Sequence, residues 1–307
     1  MPALPNGLLR TPDDRFEGLA EWPYAPRYLS LRLPGIDGLV RLHYVDEGPP
    51  DAAETFLLLH GEPSWSYLYR RMIPPLVEAG HRVVAFDFPG FGRSDKPAQV
   101  SDYTYALHRA ALLGMIDALK LAGITLVSQD WGGLMGLSVA ALDVPERISR
   151  LVIMNTFLPT GEGSPPLAFR AWKASVRLLK TRLPVGMLMG LALPASQKPF
   201  LPAYTAPFPS AEYKAGVAAW PLLVPTRPGG EVAEAMTQTR EALKGWDKPC
   251  LLVWSKQDPI LGGFARFFER LIPTAEPATE VRGGHFLQDK YGAEIAGHIV
   301  PLVERTR

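Results

Sequence analysis

The sequence predicts an α/β protein: a mostly parallel, doubly wound sheet carrying an inserted helical cap. Three observations predict it. The runs Thr55 to Leu59, Arg82 to Phe86, Ile124 to Val127, Arg150 to Met154 and Cys250 to Trp254 alternate with helical segments, and their near-continuous apolar character marks strands buried on both faces of a parallel sheet. Between Phe157 and about Thr226 this rhythm stops and prolines cluster, which marks an insertion. Finally, Val127-Ser128-Gln129-Asp130-Trp131-Gly132-Gly133 joins an apolar strand to an apolar helix, with small residues two positions either side of Asp130. That is the pattern of a strained turn that exposes its central residue.

In chain order, the residues through Pro26 are rich in proline and charge and are expected to wrap the surface. Tyr28 to Leu33 and Leu39 to Val45 read as strands joined by Pro34-Gly35-Ile36-Asp37-Gly38, a hairpin connection. The strand Thr55 to Leu59 ends in His60-Gly61-Glu62-Pro63. A helix containing Leu68 to Ala79 leads to the strand Arg82 to Phe86 and then to Asp87 to Ser94, whose glycines lack the spacing of a dinucleotide-binding loop. A helix from about Tyr105 to Leu121 precedes the strand Ile124 to Val127, and Leu134 to Leu142 reads as the helix after the turn, followed by the strand Arg150 to Met154. In the insertion, Pro166 to Lys180, Val185 to Leu193 and Ala211 to Ala219 have helical character. The sheet resumes with Cys250 to Trp254 and a strand near Thr279 to Val281, and a helix from about Gly292 to Glu304 closes the chain. The expected division is a core of residues 1–157 and 228–307 and a helical cap of residues 158–227.

With 307 residues and 47% hydrophobic content the chain can bury a large core. Its 32 basic and 31 acidic residues give no reason to expect a nucleic-acid or membrane partner, and the substrate is expected to be neutral. Cys250 stands alone in an apolar run and reads as a buried structural thiol. The run Leu183 to Gln197 is too short and too proline-interrupted to span a bilayer, and no signal segment opens the sequence. A cytoplasmic monomer is expected. Neither paired metal ligands nor a phosphate loop occurs, so no metal and no cofactor are expected.

The chemistry centres on Asp130. A serine needs a base to remove its proton, whereas an aspartate with an ordinary pKa near ~3.9 is already ionised and can attack carbon directly. Displacement at saturated carbon would leave an alkyl ester for water to cleave. Taken locally, an aspartate here could equally cap the following helix. Asp258, in Ser255-Lys256-Gln257-Asp258-Pro259 after a strand, and His285, in Gly283-Gly284-His285-Phe286 after the last strand, complete a nucleophile, acid and base in α/β-hydrolase chain order. By itself Asp258 also suits an Asx turn, and a loop histidine is usually solvated. The backbone N–H groups of Glu62 and Trp131 are placed to form an oxyanion hole, without need of the Glu62 side chain. His60 reads as structural, and His43, His81, His108 and His298 are expected on surfaces.

These stretches resemble the haloalkane dehalogenases of the α/β-hydrolase fold, close to the subfamily typified by the dichloroethane-degrading enzyme. The residues that carry the resemblance are Gly61 to Arg70 (GEPSWSYLYR), Gly90 to Pro97 (GFGRSDKP), Gln129 to Gly133, Ala206 to Pro209 (APFP) and Gly284-His285-Phe286. It extends from about Tyr28 to the C-terminal helix. The resemblance implies Asp130 as nucleophile, His285 as base and Asp258 as orienting acid. A sister subfamily places its acid after the preceding strand, where this chain has Asn155, which cannot serve. It also implies a small apolar halogenated substrate, water as second reactant, a halide product, and indole N–H donors for that halide from Trp131 and from Trp172 of the cap. Phe169 and Pro221 match pocket-lining positions, and Trp22, Trp65, Trp220, Trp246 and Trp254 are left to packing.

The nearest alternative is an epoxide hydrolase, which shares the aspartate nucleophile but protonates the opening ring with two cap tyrosines; Tyr204 and Tyr213 are the candidates. A binding protein on this fold is a second alternative, opposed by the complete triad. A serine esterase is excluded by the residue at position 130.

Overall fold

The computed structural model describes residues 7–306. Among these the strands are β1 (Leu8–Leu9), β2 (Arg27–Leu31), β3 (Val40–Glu47), β4 (Thr55–Leu59), β5 (Arg82–Phe86), β6 (Lys96–Pro97), β7 (Ile124–Gln129), β8 (Ile148–Met154), β9 (Cys250–Trp254) and β10 (Thr279–Glu280). The helices are α1 (Ile73–Glu78), α2 (Tyr105–Ala118), α3 (Trp131–Leu142), α4 (Leu167–Leu179), α5 (Val185–Ala192), α6 (Leu201–Thr205), α7 (Ala215–Leu223), α8 (Glu231–Lys244), α9 (Ala265–Leu271) and α10 (Leu287–Arg305). None of these helices is long and apolar enough to cross a membrane.

The main sheet runs β10-β9-β8-β7-β4-β5-β3-β2. The β2–β3 and β3–β5 pairs are antiparallel and the others parallel. Strands β4, β7 and β9 are buried at every residue, as their unbroken apolar runs require when helices cover both faces. In the central register Leu57 lies between Val84 and Leu126. The chain order reverses on either side of β4, so the carboxyl ends of β4 and β7 meet at the point where such sheets open a crevice for ligands. Helices α4 to α7 lie between β8 and α8 in the chain, over the stretch read from the sequence as an insertion. Trp220 of α7 stacks on Trp131 at 5.0 Å and lies 4.1 Å from Phe91, which joins the insertion to the carboxyl edge of the sheet.

Several sequence expectations are corrected. The N-terminal segment is not all surface: Leu8 and Leu9 are buried and pair with Lys96-Pro97, while residues 1–6 lie outside the described residues. The helix over 68–79 breaks into a 3-10 turn at Ser66–Tyr69 and α1, whose start coincides with Pro74 and Pro75. The helix expected at 211–219 is a 3-10 turn over Ala211–Lys214 followed by α7. The charged helix α8 and the short α9 were not read from the pattern. His43, His81 and His108 are buried rather than on surfaces, each with a partner only the fold could supply. His43 Nδ1 lies 2.7 Å from Asp87, His81 meets the Phe56 ring, and His108 Nε2 accepts the Trp220 indole N–H at 2.6 Å. His298 is exposed as expected.

The start of α3 rests directly on the end of β4. A Cβ at Gly132 would stand 2.1 Å from the Leu59 carbonyl oxygen, a contact with backbone that no rotamer change relieves. An alanine in a helix normally gains about 1 kcal/mol over glycine, whereas forcing an atom into a packed contact costs about 1–3 kcal/mol, so the clash should win. Gly132→Ala is expected to lower the urea midpoint, and a midpoint at or above the parental one would show that α3 and β4 are not held in this contact.

Candidate active site

Asp130 sits between β7 and α3 at φ 51° and ψ −123°, in the positive-φ half of the map that a residue with a side chain rarely enters. The surrounding backbone compels it. The Asp130 N–H donates to the Asn155 carbonyl at 3.0 Å, and the Asp130 carbonyl accepts from Gly133 N–H, Leu134 N–H and the Thr156 hydroxyl at 3.0, 3.1 and 2.7 Å. The turn aims the carboxylate at the loop after β4, where the Glu62 N–H donates to Oδ1 at 2.8 Å. The Trp131 N–H is a second backbone donor to the carboxylate. Such close approach needs glycine at 61, because a Cβ there would lie 2.4 Å from both Cβ and Oδ1 of Asp130.

On the other side of Asp130, the loops after β9 and β10 bring in Asp258 and His285. His285 Nδ1 lies 2.8 Å from Asp258 Oδ2, and its Nε2 faces Asp130 Oδ2 at 3.8 Å. Asp258 is buried and well supplied with donors: the Asn155 amide gives 2.9 Å to Oδ2, and Ile260 N–H and Leu261 N–H give 2.8 and 3.0 Å to Oδ1. Burial works against its charge, but the His285 charge and these hydrogen bonds outweigh it and hold the carboxyl at about 2. Burial likewise opposes charge on His285, and the attraction of Asp258, then Asp130, overcomes it and lifts the imidazole to about 9. His285 is therefore an imidazolium at neutral pH. Its contribution to stability is complete below its ordinary value of 6.5 and fades as pH rises through about 9, whereas that of Asp258 is complete above 3.8 and fades as pH falls through about 2.

Asp130 itself is raised by burial, against the pull of His285 and of the two N–H donors. The Glu62 side chain is buried beside it, its Oε1 has no hydrogen-bond partner, and burial followed by the Asp130 charge pushes it well above the carboxylate range. Burial and the Asp130 charge thus both favour the uncharged form of Glu62, which sets it apart from Asp258.

All eight residues singled out by the sequence, Asp130, His285, Asp258, Glu62, Trp131, Trp172, Phe169 and Pro221, border one cavity of about 590 Å³. The tryptophans sort by their indole N–H groups. Those of Trp65, Trp220 and Trp254 donate to Ala203 O, His108 Nε2 and Leu261 O. The N–H groups of Trp22, Trp131, Trp172 and Trp246 have no protein acceptor among the described residues, and of these four side chains Trp131 and Trp172 border the cavity. Tyr204 and Tyr213 are buried and do not border it, and the Tyr204 hydroxyl is engaged by Asp289.

The roles of three residues at the site escaped the sequence reading. Asn155 accepts from Ser255 N–H at 2.8 Å and donates to the Ser255 carbonyl and Asp258, tying the end of β8 to the acid loop. Thr156 holds the Asp130 carbonyl. Gln129 is buried, donates to the His285 carbonyl at 3.1 Å and sets its amide 3.4 Å from His285 Nε2. Position at the carboxyl end of β7 or β8 was the available signal for all three.

A family model described as the alpha/beta hydrolase fold matches residues 54–290. The chain is 44% identical to a haloalkane dehalogenase of Mycolicibacterium paratuberculosis, with 95% of this chain and 97% of that protein covered. It is 42% identical to a haloalkane dehalogenase of Psychrobacter cryohalolentis over 96% and 98% of the two chains. Among solved structures it superimposes on the tetrameric haloalkane dehalogenase DpaA of Paraglaciecola agarilytica NO2 with a TM-score of 0.89 at 39% identity, covering 95% and 97%.

The electrostatic arrangement is testable directly. In Asp258→Asn the carboxylate that contributes most to raising the imidazole is gone while burial remains, so the NMR titration midpoint of His285 is expected to fall from about 9 to near or below 6.5. A midpoint still near 9 would mean that Asp258 does not set the charge on His285.

Proposed function

This chain belongs to the haloalkane dehalogenase family of the α/β-hydrolase fold, and from that premise we propose how its residues divide the hydrolysis of a carbon–halogen bond. The chain converts a haloalkane and water to a primary alcohol, halide and a proton. The observation that carries the assignment of roles is the pinning of Asp130 Oδ1 by the Glu62 N–H, which leaves the other oxygen, Oδ2, facing His285 across the cavity that both residues border.

In the first step Oδ2 attacks the halogen-bearing carbon, the carbon–halogen bond breaks, and the electron pair leaves with the halide. Burial that raises the basicity of Asp130 makes it a better nucleophile. The departing halide is a weakly basic anion in an apolar cavity and needs donors without competing acceptors, which the free indole N–H groups of Trp131 and Trp172 supply. Hydrogen bonds to a charged group contribute about 1.5–3 kcal/mol each, so two lower the barrier by about 3–6 kcal/mol, or two to four powers of ten in rate.

The second step cleaves the ester. Alkylation removes the negative charge facing His285 Nε2 at 3.8 Å, one of the influences that raise the imidazole, so His285 releases its proton more readily once the ester has formed. Neutral His285 takes a proton from water as the water oxygen adds to the Asp130 carboxyl carbon. The developing charge falls on Oδ1, already opposite the Glu62 N–H, with the Trp131 N–H as the second donor to this carboxyl group. Collapse expels the alcohol, which carries off the second hydrogen of the water, and restores the carboxylate. Asp258 keeps the imidazole oriented through Nδ1.

Residues 158–227 act in this scheme as a cap that roofs the apolar cavity and sets which substrates fit, with Trp172, Phe169 and Pro221 as its contributions. One chain supplies every reacting group, so a monomer suffices for the chemistry. The epoxide hydrolase reading is not favoured, because the two cap tyrosines it requires are buried away from the cavity.

Halide release from brominated and chlorinated alkanes, run beside diol formation from epoxides, tests the reading. Turnover of haloalkanes alone is expected, and Trp172→Phe, which keeps the ring but not the donor, should lose about one to two powers of ten in halide release. Epoxide turnover without halide release would overturn the reaction, and an unimpaired Trp172→Phe would return Trp172 to packing.

A further inference from the structure

Between Glu162 and Glu212 the sequence holds no acidic residue and six basic ones, Arg170, Lys173, Arg177, Lys180, Arg182 and Lys198. The near balance of 32 basic and 31 acidic residues in the whole chain conceals this local excess. Lys173 is buried and occupied, donating to the carbonyls of Leu222 and Val224. The other five are exposed, and none has an acidic partner within ion-pair distance among the described residues.

The same segment exposes large apolar side chains. Leu167, Leu178, Met187 and Leu191 are 78%, 83%, 63% and 80% exposed. They are arranged rather than scattered. On α4 the exposed positions 167, 171, 174 and 178 recur at helical spacing and hold Leu, Ala, Ala and Leu, while Val176 and Lys173 point inward. On α5, Met187 and Leu191 are one turn apart, and Leu191 also borders the cavity, as do Pro166 and Phe169 beside Leu167. The α4 stripe, flanked by Arg170 and Arg177, and the α5 stripe therefore both reach residues that border the cavity, whose lining also includes the exposed Glu162.

We propose that this outer surface of the insertion docks on anionic lipid bilayers, with the cavity mouth toward the acyl chains. Leucine and methionine side chains enter the boundary between headgroups and chains, while Arg170, Arg177, Lys180, Arg182 and Lys198 meet the lipid phosphates, the division of labour of an amphipathic surface helix. A second copy seated symmetrically on this face would set its five cations against the same five, which charge opposes. The functional benefit rests on the reading above: apolar haloalkanes concentrate in hydrocarbon, and a docked mouth draws on that pool.

The test is sedimentation of the full chain with vesicles of phosphatidylcholine alone and of equal parts phosphatidylcholine and phosphatidylglycerol. Binding to the mixed vesicles only, released by added salt, is expected. Leu178→Glu combined with Met187→Glu should abolish it, and Arg177→Glu combined with Lys180→Glu should weaken it about tenfold or more. All four residues lie off the cavity, so turnover of a short, water-soluble haloalkane without vesicles should stay parental and show that the variants are folded. Equal binding to both vesicle types, no binding, or variants that bind like the parent would overturn the proposal. So would a parental oligomer that Leu178→Glu with Met187→Glu converts to monomers while vesicles bind neither form, since the face would then belong to a second copy. Absence of haloalkane turnover would count against the catalytic reading and leave the vesicle result unaffected.

Discussion

The 2.8 Å hydrogen bond from the Glu62 N–H to Asp130 Oδ1 joins two stretches of chain 68 residues apart, and much of the local structure serves to make it possible. Two neighbouring parallel strands must end at the same level, which the β4–β7 register ensures by setting Leu59 opposite Ser128. Glycine is required at 61 to admit the carboxylate and at 132 to let α3 start against the Leu59 carbonyl. Asp130 must then hold a positive φ, a strain maintained by hydrogen bonds from both sides of the turn, to Asn155 on one and from Thr156 on the other. In the proposed scheme this one contact orients the nucleophile in the first step and becomes half of the oxyanion hole in the second.

Three carboxyl groups and an imidazole share this small space, and differences in donor supply separate them. Asp258 has four hydrogen-bond donors including His285 and remains charged down to about 2. Asp130, with fewer, is raised. Glu62, whose Oε1 has none, is raised well above the carboxylate range. Burial raises all three; for Asp258 the His285 charge and the hydrogen bonds outweigh it, for Asp130 they do not, and for Glu62 the Asp130 charge adds to it. In the proposed scheme Asp130 is the nucleophile, and His285, whose imidazole faces it, loses that charged partner when the ester forms. Trp220 adds a further constraint from above: it stacks on Trp131 and is itself fixed by neutral His108, which burial holds at about 3 and so keeps available as an acceptor.

The strands and the turn at Asp130 were legible because burial on two faces leaves an unbroken apolar run and because small residues mark a forced backbone. Asp258 and His285 were legible only in combination, since each alone suits an ordinary turn or loop. Asn155 and Gln129 were not: an amide that ties two loops together has no periodicity and no distinctive neighbours, and its role exists only once β8 and β9 lie side by side. The helix α8 was overlooked because its charged, solvent-facing half dilutes the apolar stripe of Val232, Met236 and Leu243. The buried histidines were misplaced for a related reason: a neutral imidazole is cheap to bury once it has a partner, and the partners of His43 and His108 come from 44 and 112 residues away.

In the proposed scheme Asp130 attacks carbon without help from a base, and His285 is needed only afterwards; this division rests on the ionised carboxylate at position 130. It is tested most directly by mixing His285→Gln with a bromoalkane and following both halide and protein mass. A burst of about one halide per enzyme and a stable alkyl adduct on the peptide containing Asp130 are expected, because the first step proceeds and the second stalls. Repeated turnover by the variant, the absence of a burst, or an adduct on any other residue would contradict it.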